Sequence, residues 1–510
     1  MININIFINC FLSILIIISC KSSFVYSKPV KEQKKIISST DLSIGVKHTN
    51  EIIYNYLNQE LNHQNINYIE MDLSLINNSY SLKCHKSKNI TNGKETLHNQ
   101  VVNEQINGKN IIGAINGDFF NISSGIPTCT NLSNGEIFST SLNENEEMLR
   151  PCFAVLEDNL VDINYYGFNG KINFIDKKNF EYEIKIDSLN RNDYIENTIN
   201  LFNFKNNEHS TIFLPKERED ALIILIKPDN LNPSFMNEKK IKGKILNIIN
   251  DPENAYKLSK DEIALVAYDE KKDLFTNITK NMDIEINLSI KKKNNPHSIK
   301  VDQLLTGHEF IIYDEEIPDE NYFSKTWNKS SVYSKNHRTA LALTKRNTLI
   351  ILTIDKNKDF KGMSLPDLGI YLKSLDSYTA INLDGGGSTS MMIRELGMHS
   401  LKNINLPREN RFISNSIMIS NTLPYTTDIK DFYFHDSPQI NRNESRRLNF
   451  IAYDINLNPI DVYLLPNLKL SSNVGTFDSN GTFYPFQACC KGTISIDINK
   501  ISKTYPIEIT

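Results

Sequence analysis

Thr379–Ile393 reads TAINLDGGGSTSMMI, and the rest of the chain is organised around it. The alternating run Ala380-Ile381-Asn382-Leu383 predicts a strand. It leads straight into Asp384-Gly385-Gly386-Gly387-Ser388-Thr389. Three consecutive glycines cannot continue a strand interior without a large entropic cost. They let the backbone approach a ligand closely, or take a positive φ, immediately after a carboxylate. A strand-end carboxylate followed by exposed N–H groups and two hydroxyls suits a sugar or a phosphate. A tight glycine turn beside a solvated aspartate would read the same way, so the stretch draws its meaning from its company.

The second constellation is Ile111–Phe120, IIGAINGDFF. A buried apolar strand ends in Asn116-Gly117-Asp118, with Gly117 giving Asp118 a sharp turn. Phe119 and Phe120 can wall a pocket and offer a surface for a sugar ring. An ordinary Asn-Gly hairpin capped by core aromatics is the alternative. Further on, Leu304–Glu309 (LLTGHE) precedes a strand at Phe310–Tyr313, making His308 and Glu309 candidate polar site residues or a solvated loop. His337-Arg338-Thr339 opens a hairpin, Ala340–Leu343 with Leu349–Ile354. Arg338 at its start could grip a phosphate bidentately or form a surface salt bridge. Ser364-Leu365-Pro366-Asp367 is a capping box with proline in the first turn. Leu365, Leu368, Leu372 and Leu375 then repeat at helical spacing. Arg411 stands at the entrance of a closing strand, RFISNSIMI (411–419).

A chain of 510 residues predicts two or three domains. Hydrophobic content of 40% and charged content of 23% are those of a globular protein. A net charge of −4 gives no reason to expect nucleic acid or an anionic membrane surface as a partner. Residues 1–27 read as a signal or targeting segment, apolar over 2–19. Val25-Tyr26-Ser27 offers a cleavage site, Cys20 closes a lipoprotein-like box, and an uncleaved anchor is a third option. No span is expected in the mature chain, which is expected to be secreted or held at the cell surface. Residues 28–41 read as a flexible leader. Beyond the targeting segment, the cysteines lack CxxC spacing, which argues against zinc. Cys129 and Cys152 are candidate disulfide partners.

Between 160 and 300 come short alternating runs, among them Ala221–Ile226, Ile263–Tyr268 and Asp283–Ile290, with few of helical period. The fold class expected is α+β: a large, mostly antiparallel sheet with few helices over 42–422. Residues 423–510 lose helical period altogether, and their turn spacing predicts a small all-β sandwich.

Together, INGDFF (115–120), NGEI (134–137), HRTALAL (337–343), GMSLPDLGIYLKSL (362–375), NLDGGGSTSM (382–391) and RFISNSI (411–417) resemble the phosphodiester glycosidase family, in order. The resemblance spans roughly residues 42–420. The tail resembles the immunoglobulin-like modules appended to bacterial members. His337 stands where the family usually has proline, and 305–309 lacks its glycine-rich turn. The resemblance implies an exported hydrolase that cleaves the glycosidic bond of a sugar-1-phosphodiester, such as an N-acetylglucosamine-1-phosphodiester, with a glycosyl-phosphate or cell-envelope glycan as substrate. Asp118 and Asp384 are the expected carboxylate pair, and Arg338 the cation on the leaving phosphate. Asn116, Gly117, Phe119, His308, Glu309, Thr339, Asn382, Ser388, Thr389 and Arg411 complete the expected substrate site, with the Gly385, Gly386 and Gly387 amides holding phosphate oxygens. No cofactor is required by these residues; a divalent cation bridging an aspartate and the phosphate is a further option. The alternative is a non-catalytic exported carbohydrate-binding or cell-surface protein on the same scaffold.

Overall fold

The computed structural model describes residues 33–510, apart from 55, 58–59, 142–149, 176–180, 219, 232, 251, 294, 296–299, 326–328, 406–409 and 487–488. The expected targeting segment, Cys20 included, lies outside the described residues.

The leader reading fails from residue 33 onward. Gln33–Ser43 is a strand (β1) that pairs antiparallel with Val46–Tyr54 (β2) around Gly45. It sits at a sheet edge and is mostly exposed, so its sequence carries no apolar alternation. Gln64–Asp72 (β3) follows, then Tyr80–Lys86 (β4). Helix α1 (Leu97–Ile106) is capped by Thr96, whose hydroxyl accepts the Asn99 N–H at 3.2 Å. It delivers the chain to Ile111–Asn116 (β5). Residues 131–306 then supply a twelve-stranded, predominantly antiparallel sheet with a core of its own, which holds the short alternating runs. Next come Phe310–Ile312 (β6), Arg338–Thr344 (β7) and Thr348–Ile354 (β8). Helix α2 (Leu365–Ser374) starts at Ser364 as its capping box predicts. Ser377–Asn382 (β9), Met391–Ile393 (β10) and Asn415–Asn421 (β11) complete the unit.

These strands build two sheets. One has the order β1-β2-β3-β8-β7-β9-β6; the other runs Lys402–Asn403, β10, β5, β11, β4. They pack face to face through a shared core that includes Ile69, Met71, Ile115, Leu341, Ile381 and Ile417. Helix α2 covers the outer face of the first sheet, against Ile66, Ala340 and Leu352. Helix α1 covers the outer face of the second, with Leu97 and Val101 against Ile111 and Met418. Alternation along β7 follows from strand geometry: Leu341 and Leu343 enter the inter-sheet core, while Ala340 and Ala342 face the helix. The α+β reading with dominant antiparallel pairing holds.

Strands over 429–509 form three small sheets around a separate core that includes Phe432, Phe450, Phe483 and Ile496. Cys129 and Cys152 are both free and buried, which corrects the disulfide reading. Cys152 instead contacts the Thr306 hydroxyl at 3.4 Å on the neighbouring strand.

Candidate active site

The two motifs meet where β5 and β9 end, at one rim of the two-sheet sandwich. Asn116 is the fastener. Its amide donates to the Asp384 carbonyl at 2.7 Å, and its Oδ1 accepts from the Thr339 hydroxyl at 2.9 Å and the Ser390 N–H at 3.0 Å. One fully buried side chain thus ties β5 to the DGGGST loop and to β7. The Asp384 N–H donates to the Gly117 carbonyl at 3.1 Å, so the backbones that carry the two aspartates are bonded to each other. Gly117 is required by space: a Cβ there would lie 2.2 Å from Asn415 Oδ1 and 2.6 Å from Leu305 Cδ1. That Asn415 oxygen accepts the Asp118 N–H at 2.7 Å. The strand does not turn back at Asn116-Gly117 as a hairpin; β5 pairs with β10 and β11.

Asp118 is 3% exposed, and its Oδ2 has no hydrogen-bond partner among the described residues. Burial holds its pKa well above the carboxylate range, and the Asp384 charge adds to this; Arg150, the Phe119 N–H and Arg191 oppose it. Asp384 is raised from 3.8 to about 6, first by burial. The Ser388 hydroxyl, the Arg411 charge and the Gly385 N–H favour its ionised form. Two carboxylates therefore share one site with different proton affinities.

His308 and Glu309 are buried, not a solvated loop. His308 Nδ1 lies 2.5 Å from Glu309 Oε1, and its ring meets Phe119 edge-on with centroids 5.0 Å apart. Burial lowers the His308 pKa, against the favourable pull of Glu309. The other Glu309 oxygen accepts from Asn382 Nδ2 at 2.9 Å. Phe119, His308, Glu309 and Asn382 thus form one wall running from Asp118 to the base of the Asp384 loop.

Arg338 opens β7 and is buried. Thr339 points between the sheets to Asn116, so Arg338, one residue earlier, points to the opposite face. There its guanidinium donates to the carbonyls of Met363 at 2.9 Å, Ser331 at 2.6 Å and Ser334 at 2.7 Å. Burial lowers its pKa to about 10, against the pull of Glu309. It anchors the Lys329–Tyr333 helix to the sheet. The cations whose charge reaches the aspartates are Arg150 and Arg191 for Asp118 and Arg411 for Asp384. Arg150 and Arg191 were missed. Arg150 directly precedes the Pro151–Leu156 strand, the same strand-start signal that singled out Arg338.

The glycine amides are mostly engaged. Gly385 donates to the Asp384 carboxylate, and Gly386 to the His337 carbonyl at 3.3 Å. Gly386–Ser388 is a 3-10 turn, and Gly386 takes φ +58° with open space where a Cβ would stand. The Thr389 and Thr339 hydroxyl oxygens lie 3.4 Å apart. Behind the loop the sequence reading also missed Asn405, which bonds the Thr389 carbonyl at 3.2 Å and the buried Asp355 at 3.3 Å. Among the described residues no three His, Cys, Asp or Glu side chains gather as metal ligands.

Residues 237–420 match the family model for phosphodiester glycosidase, so over that stretch the chain carries a domain of that family. The match includes Arg338, Asp384 and Arg411 and leaves out Asp118. No curated protein matches the chain in sequence. Among solved structures, a hypothetical protein from Synechocystis aligns with 13% identity and TM-score 0.58, over 76% of this chain and 64% of that one. This chain therefore spans under two thirds of the Synechocystis protein. A Burkholderia pseudomallei protein named as exported aligns with 12% identity and TM-score 0.57, over 77% of this chain and 97% of that one. Both show a shared fold. The zebrafish N-acetylglucosamine-1-phosphodiester α-N-acetylglucosaminidase catalytic domain, auto-inhibited by its pro-peptide, aligns at 15% identity over 77% and 89% with TM-score 0.38, too loosely to carry an argument.

Proposed function

We infer that the chain hydrolyses the glycosidic bond of a sugar-1-phosphodiester, releasing free sugar and a phosphomonoester. The observation that carries this is the pairing of buried Asp118 with half-buried Asp384, fastened through Asn116 and Gly117 and split in proton affinity. The family match over 237–420 supports the substrate class.

The split assigns the roles. Asp384, raised only to about 6, is ionised at neutral pH and serves as base or nucleophile at the anomeric carbon. Asp118, well above the carboxylate range, keeps its proton and donates a hydrogen bond to the departing phosphate oxygen. Its buried Oδ2 has no partner among the described residues, and a bound phosphodiester would give it one. With Asp384 as base, the water oxygen bonds to the anomeric carbon as the carbon–phosphate-oxygen bond breaks. The water proton goes to Asp384, and the phosphate leaves as an anion that needs little protonation. Arg150 and Arg411 supply positive field on either side. Phe119, on the edge of His308, borders the sugar.

Among the described residues no helix is long and apolar enough to cross a membrane. Export is part of this proposal, resting on the sequence of the first 27 residues. The test is incubation with an α-N-acetylglucosamine-1-phosphate diester and a panel of other sugar-1-phosphodiesters, with Asp384→Asn and Asp118→Asn alongside. Release by the parent and by neither variant is expected. Binding without release across the panel would favour a non-catalytic carbohydrate-binding protein instead.

A further inference from the structure

The geometry points to a second, non-catalytic ligand site: the cleft between the two-sheet sandwich and the C-terminal β unit, built to hold a neutral glycan chain. The cleft has a volume of about 600 Å³ and lies at the far end of β10 from the Asp384 loop. One wall is the Ile429–Phe434 and Phe450–Asp454 strand pair of the C-terminal unit. In its register Asp431 opposes Tyr453 and Tyr433 opposes Ile451. Phe432 and Ala452 point into the unit's own core. Tyr433 and Tyr453 therefore stand on the other face, as diagonal neighbours about 7–8 Å apart. Both line the cleft, and Tyr433 is 39% exposed.

The opposite wall sets polar groups beside the apolar Ile393, Leu396 and Ile404 and is uncharged on balance. His48, Asn50 and Asn67, from β2 and β3, line it with the hydroxyl-bearing Ser38 and Thr40. Glu395 and Lys402 at its rim pair with each other. Burial lowers the His48 pKa and keeps the ring neutral. Asn67 is the most telling residue. It is 1% exposed, its Oδ1 meets His48 Nε2 at 3.3 Å and Asn50 Nδ2 at 3.1 Å, and its Nδ2 has no partner among the described residues. A buried amide donor without an acceptor is a standing cost that a ligand hydroxyl or carbonyl would relieve. Two aromatic faces opposite amide, imidazole and hydroxyl groups, with the charges cancelled, match a polyhydroxylated neutral chain. An anionic ligand would find no unpaired cation there among the described residues, and an apolar one would leave the amides unmatched.

The wall positions are fixed. Asn110 Nδ2 and Asn421 Nδ2 both donate to Asn458 Oδ1, at 2.7 and 2.8 Å, and Arg394 donates to the Leu457 carbonyl at 3.3 Å. The inference does not depend on the proposed hydrolysis, because binding is read without turnover.

The test is calorimetric titration of the full chain with chitotetraose, cellotetraose and maltotetraose. At least one should bind with one-to-one stoichiometry. Tyr433→Ala and Tyr453→Ala should each weaken binding by about tenfold, the worth of one aromatic contact. Tyr433→Phe keeps the ring and should stay close to the parent, which separates stacking from a folding defect. Glycosyl phosphodiester cleavage should be unchanged in all three. Failure of every oligosaccharide to bind overturns the inference. So does binding that survives the double tyrosine-to-alanine variant, or that is lost in Asp384→Asn while the tyrosine variants keep it.

Discussion

Asp384→Asn should make the protein more stable while abolishing hydrolysis. The carboxyl is raised from 3.8 to about 6 in the folded chain. Each tenfold change in proton affinity is worth about 1.4 kcal/mol, so holding the group ionised in the fold costs roughly 3 kcal/mol at neutral pH. The sign follows from proton counts. Between pH 4 and 6 the folded state holds the proton and the unfolded state has lost it, so stability falls as pH rises through that window and levels off above it. The asparagine variant escapes this cost and can still accept the Gly385 N–H. Urea unfolding of parent and variant at pH 4, 5, 6 and 7 would read it. The difference should be near zero at pH 4 and grow to about 1–3 kcal/mol in favour of the variant at pH 7, the lower figure allowing for the part of Asp384 that faces solvent. A variant less stable than the parent at pH 7, or a difference independent of pH, would refute the reasoning. Active sites commonly hold such unfavourable groups, and their removal exchanges activity for stability.

Three further outcomes follow from the same geometry. The kcat/KM profile for sugar release should fall below pH about 6 as Asp384 takes up a proton, and Arg150→Gln should move the alkaline limb upward, since Arg150 favours ionised Asp118; initial rates from pH 4 to 10 would show both. Arg338→Ala should destabilise the fold by about 3 kcal/mol by stranding three buried carbonyls, yet leave kcat/KM of the folded fraction near the parent's; a large loss of kcat/KM at unchanged stability would return Arg338 to the substrate. Gly117→Ala should cost about 1–3 kcal/mol through the clash with Asn415 and lower activity by displacing Asp118, read by urea unfolding and sugar release together.

Much of this site was legible from local chemistry. Strand ends break with glycine and polar residues, so INGD and NLDGGGST announced themselves as rims. The Ser364 cap and the leucine spacing gave helix α2 nearly to the residue. Side-chain direction was not legible. Arg338 drew notice because it opens a strand, and the two-residue period of that strand turns it to the face opposite Thr339, whose hydroxyl bonds Asn116. Arg150 and Arg191 come to Asp118 from segments distant in sequence, and only the closing of the large sheet brings them there. β1 was missed because an exposed edge strand has no buried face to impose alternation. The cleft beside Tyr433 and Tyr453 needs two units docked together, which no local pattern encodes.

The central claim is cleavage at the anomeric carbon, and hydrolysis in ¹⁸O-enriched water tests it most directly. The full chain would turn over an α-N-acetylglucosamine-1-phosphate diester, and both products would be weighed by mass spectrometry. The account predicts the heavy oxygen on the sugar and an unlabelled phosphomonoester. Label on the phosphate would mean attack at phosphorus and would contradict it.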